Sequence, residues 1–345
     1  MAKSPQFPWP PPPIDETAPK MAGVSAEDYS RDADVLTWFL EHRGSGAPDL
    51  RSAPESEEDH HQFPVFRWIE LLRRCASGIE LPEVRGHELL TGGAYGNADG
   101  LASLVDFYAA RLCAWAVRRL EGEADAGRID LQVHGSFVTK ELGKRDSTCL
   151  EEPALAGGLG TLLVAAQLAT ERRGRIEIMG SGSQGLDIEW TVEPGLIMRF
   201  EHKAQAFAST YRDGPQRQDV LRNMLPQIVA KSGDLRRRTK RDGAPALCVV
   251  AFTGMYPRHI ADQLEQRDLR PALAEAFLQA MPGGPNPYLL PHAALFNLYG
   301  IDGDGDGTFA RRMGRAFPFS QARPRAPENL AALFETVFRR TAKGT

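Results

Sequence analysis

The chain has 345 residues, 42% hydrophobic and 25% charged, with a formal net charge of −4 at pH 7. That is the composition of a globular protein of one large domain or two to three small ones. The charge excludes a general polyanion binder, so a nucleic-acid partner would have to be met by local basic patches. Cys75, Cys113, Cys149 and Cys248 show no CxxC spacing, which implies neither a zinc site nor a disulfide framework. No signal peptide and no apolar run of membrane-spanning length is present, so the expectation is a cytoplasmic, reducing setting and no membrane partner.

In chain order, residues 1–25 contain Pro8-Trp9-Pro10-Pro11-Pro12-Pro13, a polyproline-like stretch expected to be disordered or wrapped over the surface. A mainly helical region is expected over 26–145, with helices at Ser25–His42, Val65–Ser77 and Gly100–Glu121. The last has Leu101, Leu104, Val105, Tyr108, Leu112 and Trp115 at helical spacing, which reads as core packing. The acidic link Gly44–His61 reads as a solvated loop, and residues 129–138 as an edge strand or strand pair with a structural His134. Residues 153–172 read as a buried helix, Arg175–Met179 as a strand, and Gln216–Lys231 as an amphipathic helix whose Pro226 predicts a kink or a late start. Ala246–Phe252 is an apolar run expected of a fully buried strand. The C-terminal region, 256–345, reads as helical, with helices at Arg258–Met281 and Pro327–Arg340. Between them Asp302–Gly307 matches the opening of an EF-hand loop. The twelfth position of that loop is Met313 where a bidentate Glu is needed, so a flexible acidic turn is the stronger reading than a calcium site.

The most informative stretch is Gly185–Gln205, two short strands around Glu193-Pro194-Gly195. Side chains at i and i+2 share one face of a strand. Asp187 therefore shares a face with Glu189, and Glu201 shares one with Arg199 and Lys203. A three-residue loop closed by Val192 and Leu196 puts Asp187 opposite Glu201 and Glu189 opposite Arg199. A two-residue loop centred on Pro194-Gly195 shifts the register by one and puts Asp187 opposite His202, away from Glu201.

In the first register Asp187 and Glu201 form a pair of carboxylates suited to Mg²⁺, which takes one or two carboxylates and keeps water and phosphate oxygens as its other ligands. The backbone carbonyl of His202 would add a third protein oxygen, and Mn²⁺ is the expected substitute. Lys203, a compact point charge, would orient a nucleophile or neutralise charge developing on phosphate. Of 41 Lys+Arg only eight are Lys, and Lys203 is the only lysine between Lys144 and Lys231. Where a plain positive charge suffices this chain writes Arg, so a lysine in an apolar strand with an acid two residues before it stands out. The bland alternative is a surface ion pair between Lys203 and Glu201.

These residues, with their apolar strands, resemble the PD-(D/E)xK nuclease superfamily. The Gly180–Gly185 approach to Asp187 is similar to that of its modification-dependent and Holliday-junction-type members. The resemblance covers the stretch from near Cys149 to near Gly254. It implies an α/β protein with a restriction-endonuclease-like αβββαβ core over 146–255, flanked by the helical regions. It also implies Mg²⁺-dependent phosphodiester hydrolysis of nucleic acid, DNA first, in restriction, defence or repair. One site cuts one strand, so a homodimer is an expectation of the resemblance. Two departures stand: Leu186 precedes Asp187 where the family name has Pro, and no acid lies within 155–170, which favours one metal ion.

Expected substrate contacts are Gln205, on the face of Lys203, and Arg236, Arg237, Arg238 and Lys240 of the basic run, read as a loop after the second core helix. Three other readings stay open. The same fold could act on RNA, the core could be a catalytically silent nucleic-acid-binding or assembly module, or the chain could be a calcium-responsive adaptor built around Asp302–Asp306.

Overall fold

The computed structural model describes residues 24–44, 64–78, 98–138, 142, 153–180, 186–204, 220–257, 270–280, 286–302 and 309–340. The proline-rich start, nearly all of the 44–61 link, Gln205 and residues 303–308 of the acidic turn lie outside them. The described elements are α1 (Ala26–Arg43), α2 (Pro64–Ala76), α3 (Ala98–Asp125), β1 (Asp130–Val133), the single turn α4 (Gly135–Phe137), α5 (Pro153–Ala169), β2 (Arg175–Ile178), β3 (Ile188–Glu193), β4 (Leu196–Ala204), α6 (Val220–Asp242), β5 (Ala246–Pro257), α7 (Arg270–Ala280), β6 (Ala293–Asp302), β7 (Phe309–Pro318) and α8 (Glu328–Arg340).

The seven strands form one mixed sheet in the spatial order β1 to β7. The β1–β2, β4–β5 and β5–β6 pairs are parallel, while β2–β3, β3–β4 and β6–β7 are antiparallel. Hence β1, β2, β4, β5 and β6 run one way, and β3 and β7 the other. The carboxyl ends of five strands share one edge of the sheet, and β3 begins at that edge.

Helix α5 has no charged residue, as its sequence PALAGGLGTLLVAAQLA requires of a helix buried on every side. Leu159, Leu162, Leu163, Val164 and Leu168 are all buried. They join Ile188, Trp190, Met198, Phe200, Val249 and Ala251 from one face of the sheet in a core that also takes in residues of α1, α2, α3 and α8. The N-terminal helices therefore share the core of the sheet. On the other face Ile228 and Leu235 of α6 and Leu273 of α7 pack on Cys248, Val250, Phe252 and Phe296.

The β3–β4 hairpin combines the two closures weighed from sequence. Ile188 pairs with Phe200, Glu189 with Arg199 and Thr191 with Ile197, which is the register expected of the three-residue loop. At the tip Glu193 pairs with Leu196, leaving a two-residue turn at Pro194-Gly195 and Val192 as an extra residue. Gly195 sits at φ +82°, where a residue with a Cβ is strained. Val192 is thus a bulge, which absorbs one residue so that the tight turn does not shift the rest of the strand.

Two expectations are corrected. The basic run lies not in a loop but inside α6, which begins at Val220, runs through Pro226 and ends at Asp242. Arg and Lys are good helix formers and favour a helix C-terminus. The C-terminal region is not simply helical, because the ten-residue strands β6 and β7 extend the sheet between α7 and α8.

The end of α3 is fixed by charge. The fully buried Glu123 carboxylate meets Arg119 at 3.5 Å, Arg128 at 3.1 Å and Arg172, from the turn between α5 and β2, at 3.2 Å. Removing one member of a buried ion pair leaves the remaining charge uncompensated. Glu123→Gln is expected to lower stability by about 3 kcal/mol. The check is the urea midpoint, which should fall with an unchanged slope.

Candidate functional site

Asp187 immediately precedes β3, whose terminal pair with β4 is Ile188 with Phe200. Its N–H donates to the Phe200 carbonyl, and its carboxylate Oδ2 accepts the His202 backbone N–H at 2.6 Å. Backbone groups on a strand alternate sides, so the N–H and C=O of His202 point toward the β3 side, as those of Phe200 do. The Asp187 carboxylate therefore lies against the end of β4 at the carboxyl edge, the place where open α/β sheets bind ligands.

Glu201 and Lys203 share the face of β4 covered by α6. Glu201 is 3% exposed, and its Oε1 meets Lys231 Nζ, from α6, at 2.5 Å. Its Oε2 is buried and has no hydrogen-bond partner among the described residues. Burial pushes Glu201 up, and Lys231 and Lys203 offset only part of that rise. Burial works against the charge on Lys231, but the hydrogen bond and charge of Glu201 and the charge of Asp187 outweigh it and hold Lys231 above its ordinary value. Lys203 is half-buried and, among the described residues, makes no ion pair.

On the opposite face the His202 ring is buried against α5. Its Nε2 lies 2.7 Å from Thr253 Oγ1, and Nδ1 has no partner among the described residues. Burial lowers its pKa to about 3. The close approach is possible because residue 160 is glycine: a Cβ there would stand 2.1 Å from His202 Cε1. His202 thus wedges α5 against the end of β4, while its backbone faces the Asp187 side.

The structure brings Asp187, Glu201 and Lys203 to one edge. It does not bring the basic run there as a group. Arg236 is buried and spends its guanidinium on the Tyr288 and Arg323 carbonyls and the His292 ring. Its expected role as a phosphate contact is therefore corrected: an interior arginine with these partners cannot reach substrate. Arg237 pairs with Asp234 at 2.6 Å, and Arg238 lies 3.9 Å from Asp242. Lys240 is exposed, roughly 13 Å along α6 from Lys231 at 1.5 Å per residue, toward the amino edge.

Lys231 is the residue that sequence reasoning missed. A signal was present, since it is the next lysine after Lys203 in a chain that otherwise writes Arg. His134, read as structural, lies just after β1 at the same edge and meets Glu177 at 2.8 Å.

The donor set fits a hard divalent cation. Glu201 Oε2 is a buried acceptor without a donor among the described residues, and Asp187 supplies a second carboxylate beside the His202 main chain. No group of three or more His, Cys, Asp or Glu able to hold a metal occurs among the described residues. Mg²⁺ commonly uses one or two carboxylates with waters, so two suffice. No helix among the described residues is long and apolar enough to cross a membrane. The chain matches no protein-family model, no curated protein and no solved structure.

Two buried histidines tie stability to pH. Burial, followed by the charge of Arg236, lowers His292 to about 4, as burial lowers His202 to about 3. Both stay neutral when folded, whereas the unfolded chain takes up protons below about 6.5. Their contribution is complete above that pH and is lost as pH falls from 6.5 toward 4 and 3, by up to about 1.4 kcal/mol per unit for each. The denaturant midpoint should fall between pH 7 and pH 4.5, and His292→Asn should flatten that slope.

Proposed function

We propose that this chain is a metal-dependent nuclease that hydrolyses phosphodiester bonds, with DNA as the first substrate and restriction, defence or repair as the setting. The observation that carries the reading is the meeting of Asp187, the buried Glu201 with its unpartnered Oε2, and Lys203 at the carboxyl edge of the sheet. The order α5, β2, β3, β4, α6, β5 supports it, because helix, three strands, helix, strand is the order expected of a restriction-endonuclease-like core.

Asp187 and Glu201 would hold Mg²⁺ or Mn²⁺, with the His202 backbone carbonyl as a further oxygen. A divalent cation supplies Lewis acidity toward phosphate and water when bound. The protein's own part is positioning. The His202 N–H fixes the Asp187 carboxylate, burial keeps Glu201 out of water, and Lys203 brings a positive charge within reach of a phosphate or attacking water. One such site cuts one strand, so a double-strand break would take two copies or two events.

The test is cleavage of plasmid, single-stranded DNA and RNA with Mg²⁺ or Mn²⁺. Asp187→Ala and Lys203→Ala are each expected to lower the rate by about 100-fold or more while leaving the far-UV spectrum unchanged. Cutting at full rate in Lys203→Ala would sink the assignment. Cutting of RNA alone would move the substrate.

A further inference from the structure

The contact between Glu201 and Lys231 has two readings. It could be a tie that fastens α6 to β4, or part of the site itself. Other ion pairs between elements of this protein are made by arginine: Arg43 with Glu121, Arg111 with Asp32, Arg172 with Glu123 and Arg199 with Asp242. Among the described residues, the Glu201 pair alone is made by lysine. A guanidinium fork would hold both carboxylate oxygens, whereas an ammonium on a flexible stem holds one and is free to swing. Among the described residues only one oxygen of Glu201 is held; the other is buried and without a partner. The two partners also differ in freedom. The Lys231 side chain is 29% exposed and the Glu201 side chain 4%, so the lysine keeps a path to water that the carboxylate lacks.

We propose that Lys231 is the resident counter-ion of the carboxylate pair, so that a divalent cation entering at Glu201 Oε2 competes with the Lys231 ammonium for the carboxylate and displaces it. The inference rests on reading Asp187 and Glu201 as a metal site. The charges support it. Two carboxylates, Asp187 and Glu201, stand with two ammonium groups, Lys203 and Lys231. That balances the site without a metal and makes it a poor anion binder. With a divalent cation in the place of Lys231, the same site carries net positive charge and a freed lysine beside it. Lys231 thereby couples metal entry to the gain of phosphate affinity.

The test is calorimetric titration of Mn²⁺, and then Mg²⁺, into the full chain at pH 8. Wild type, Lys231→Met, Lys231→Arg and Asp187→Ala are compared. Removing the competing ammonium should tighten Mn²⁺ binding in Lys231→Met on the order of ten-fold, because the cation then neutralises an otherwise uncompensated buried carboxylate. Mn²⁺ should also raise its melting temperature by more than that of wild type. Lys231→Arg, which keeps a paired cation, should show no gain. Equal or weaker binding in Lys231→Met, with binding lost in Asp187→Ala, would overturn the counter-ion role and leave the metal site standing. No binding in any of the four would remove the metal site and the counter-ion role together. Should Lys231→Met not fold, Lys231→Gln serves in its place with the same outcomes.

Discussion

Everything at the carboxyl edge depends on the β3–β4 register. Side chains alternate along a strand, so a slip of one residue would turn Glu201 and Lys203 from the α6 side to the α5 side and bring His202 to theirs. The slip is opposed from both faces. Trp190, Met198 and Phe200 need the apolar side under α5, while Arg199 is held on the other side by Glu189 at 2.8 Å and Asp242 at 2.8 Å. The bulge at Val192 lets a tight Pro194-Gly195 turn coexist with that register.

A second constraint acts through His202. It is the pivot between two differently used faces: its ring presses on Gly160 and Thr253, and its N–H holds Asp187. The residue that locks the α5 side of β4 is therefore the one whose backbone aims the aspartate. Fixing a carboxylate with a main-chain donor is economical in entropy, because the strand is already ordered by its neighbours. The same logic does not extend to Lys203 and Lys231, whose long stems reach in from β4 and α6 and keep rotamer freedom.

Much of this was legible in the sequence, and the reasons are local. Alternation in Ile188–Val192 and Leu196–Ala204 gave the faces, and the apolar runs of α5 and β5 gave the two buried elements on either side. The order of helix, three strands, helix and strand followed. What was not legible depended on partners far along the chain. Arg236 looks like its neighbours in a basic run, and only the packing of Tyr288, His292 and Arg323 against α6 turns it inward. Lys231 closes a plausible amphipathic helix in sequence, and only the folded position of α6 sets it against Glu201. Strands β6 and β7 were hidden by Pro291, Gly300 and the arginines of Phe309–Pro318, which obscure an apolar alternation.

Among the described residues the sheet is open, with β1 and β7 at its two borders. An unpaired border strand is a ready template for another chain unless it is short or charged. Here β1 is four residues long and carries Asp130, and β7 carries Arg311, Arg312 and Arg315 and ends in Pro318. Both borders thus have features that discourage strand addition.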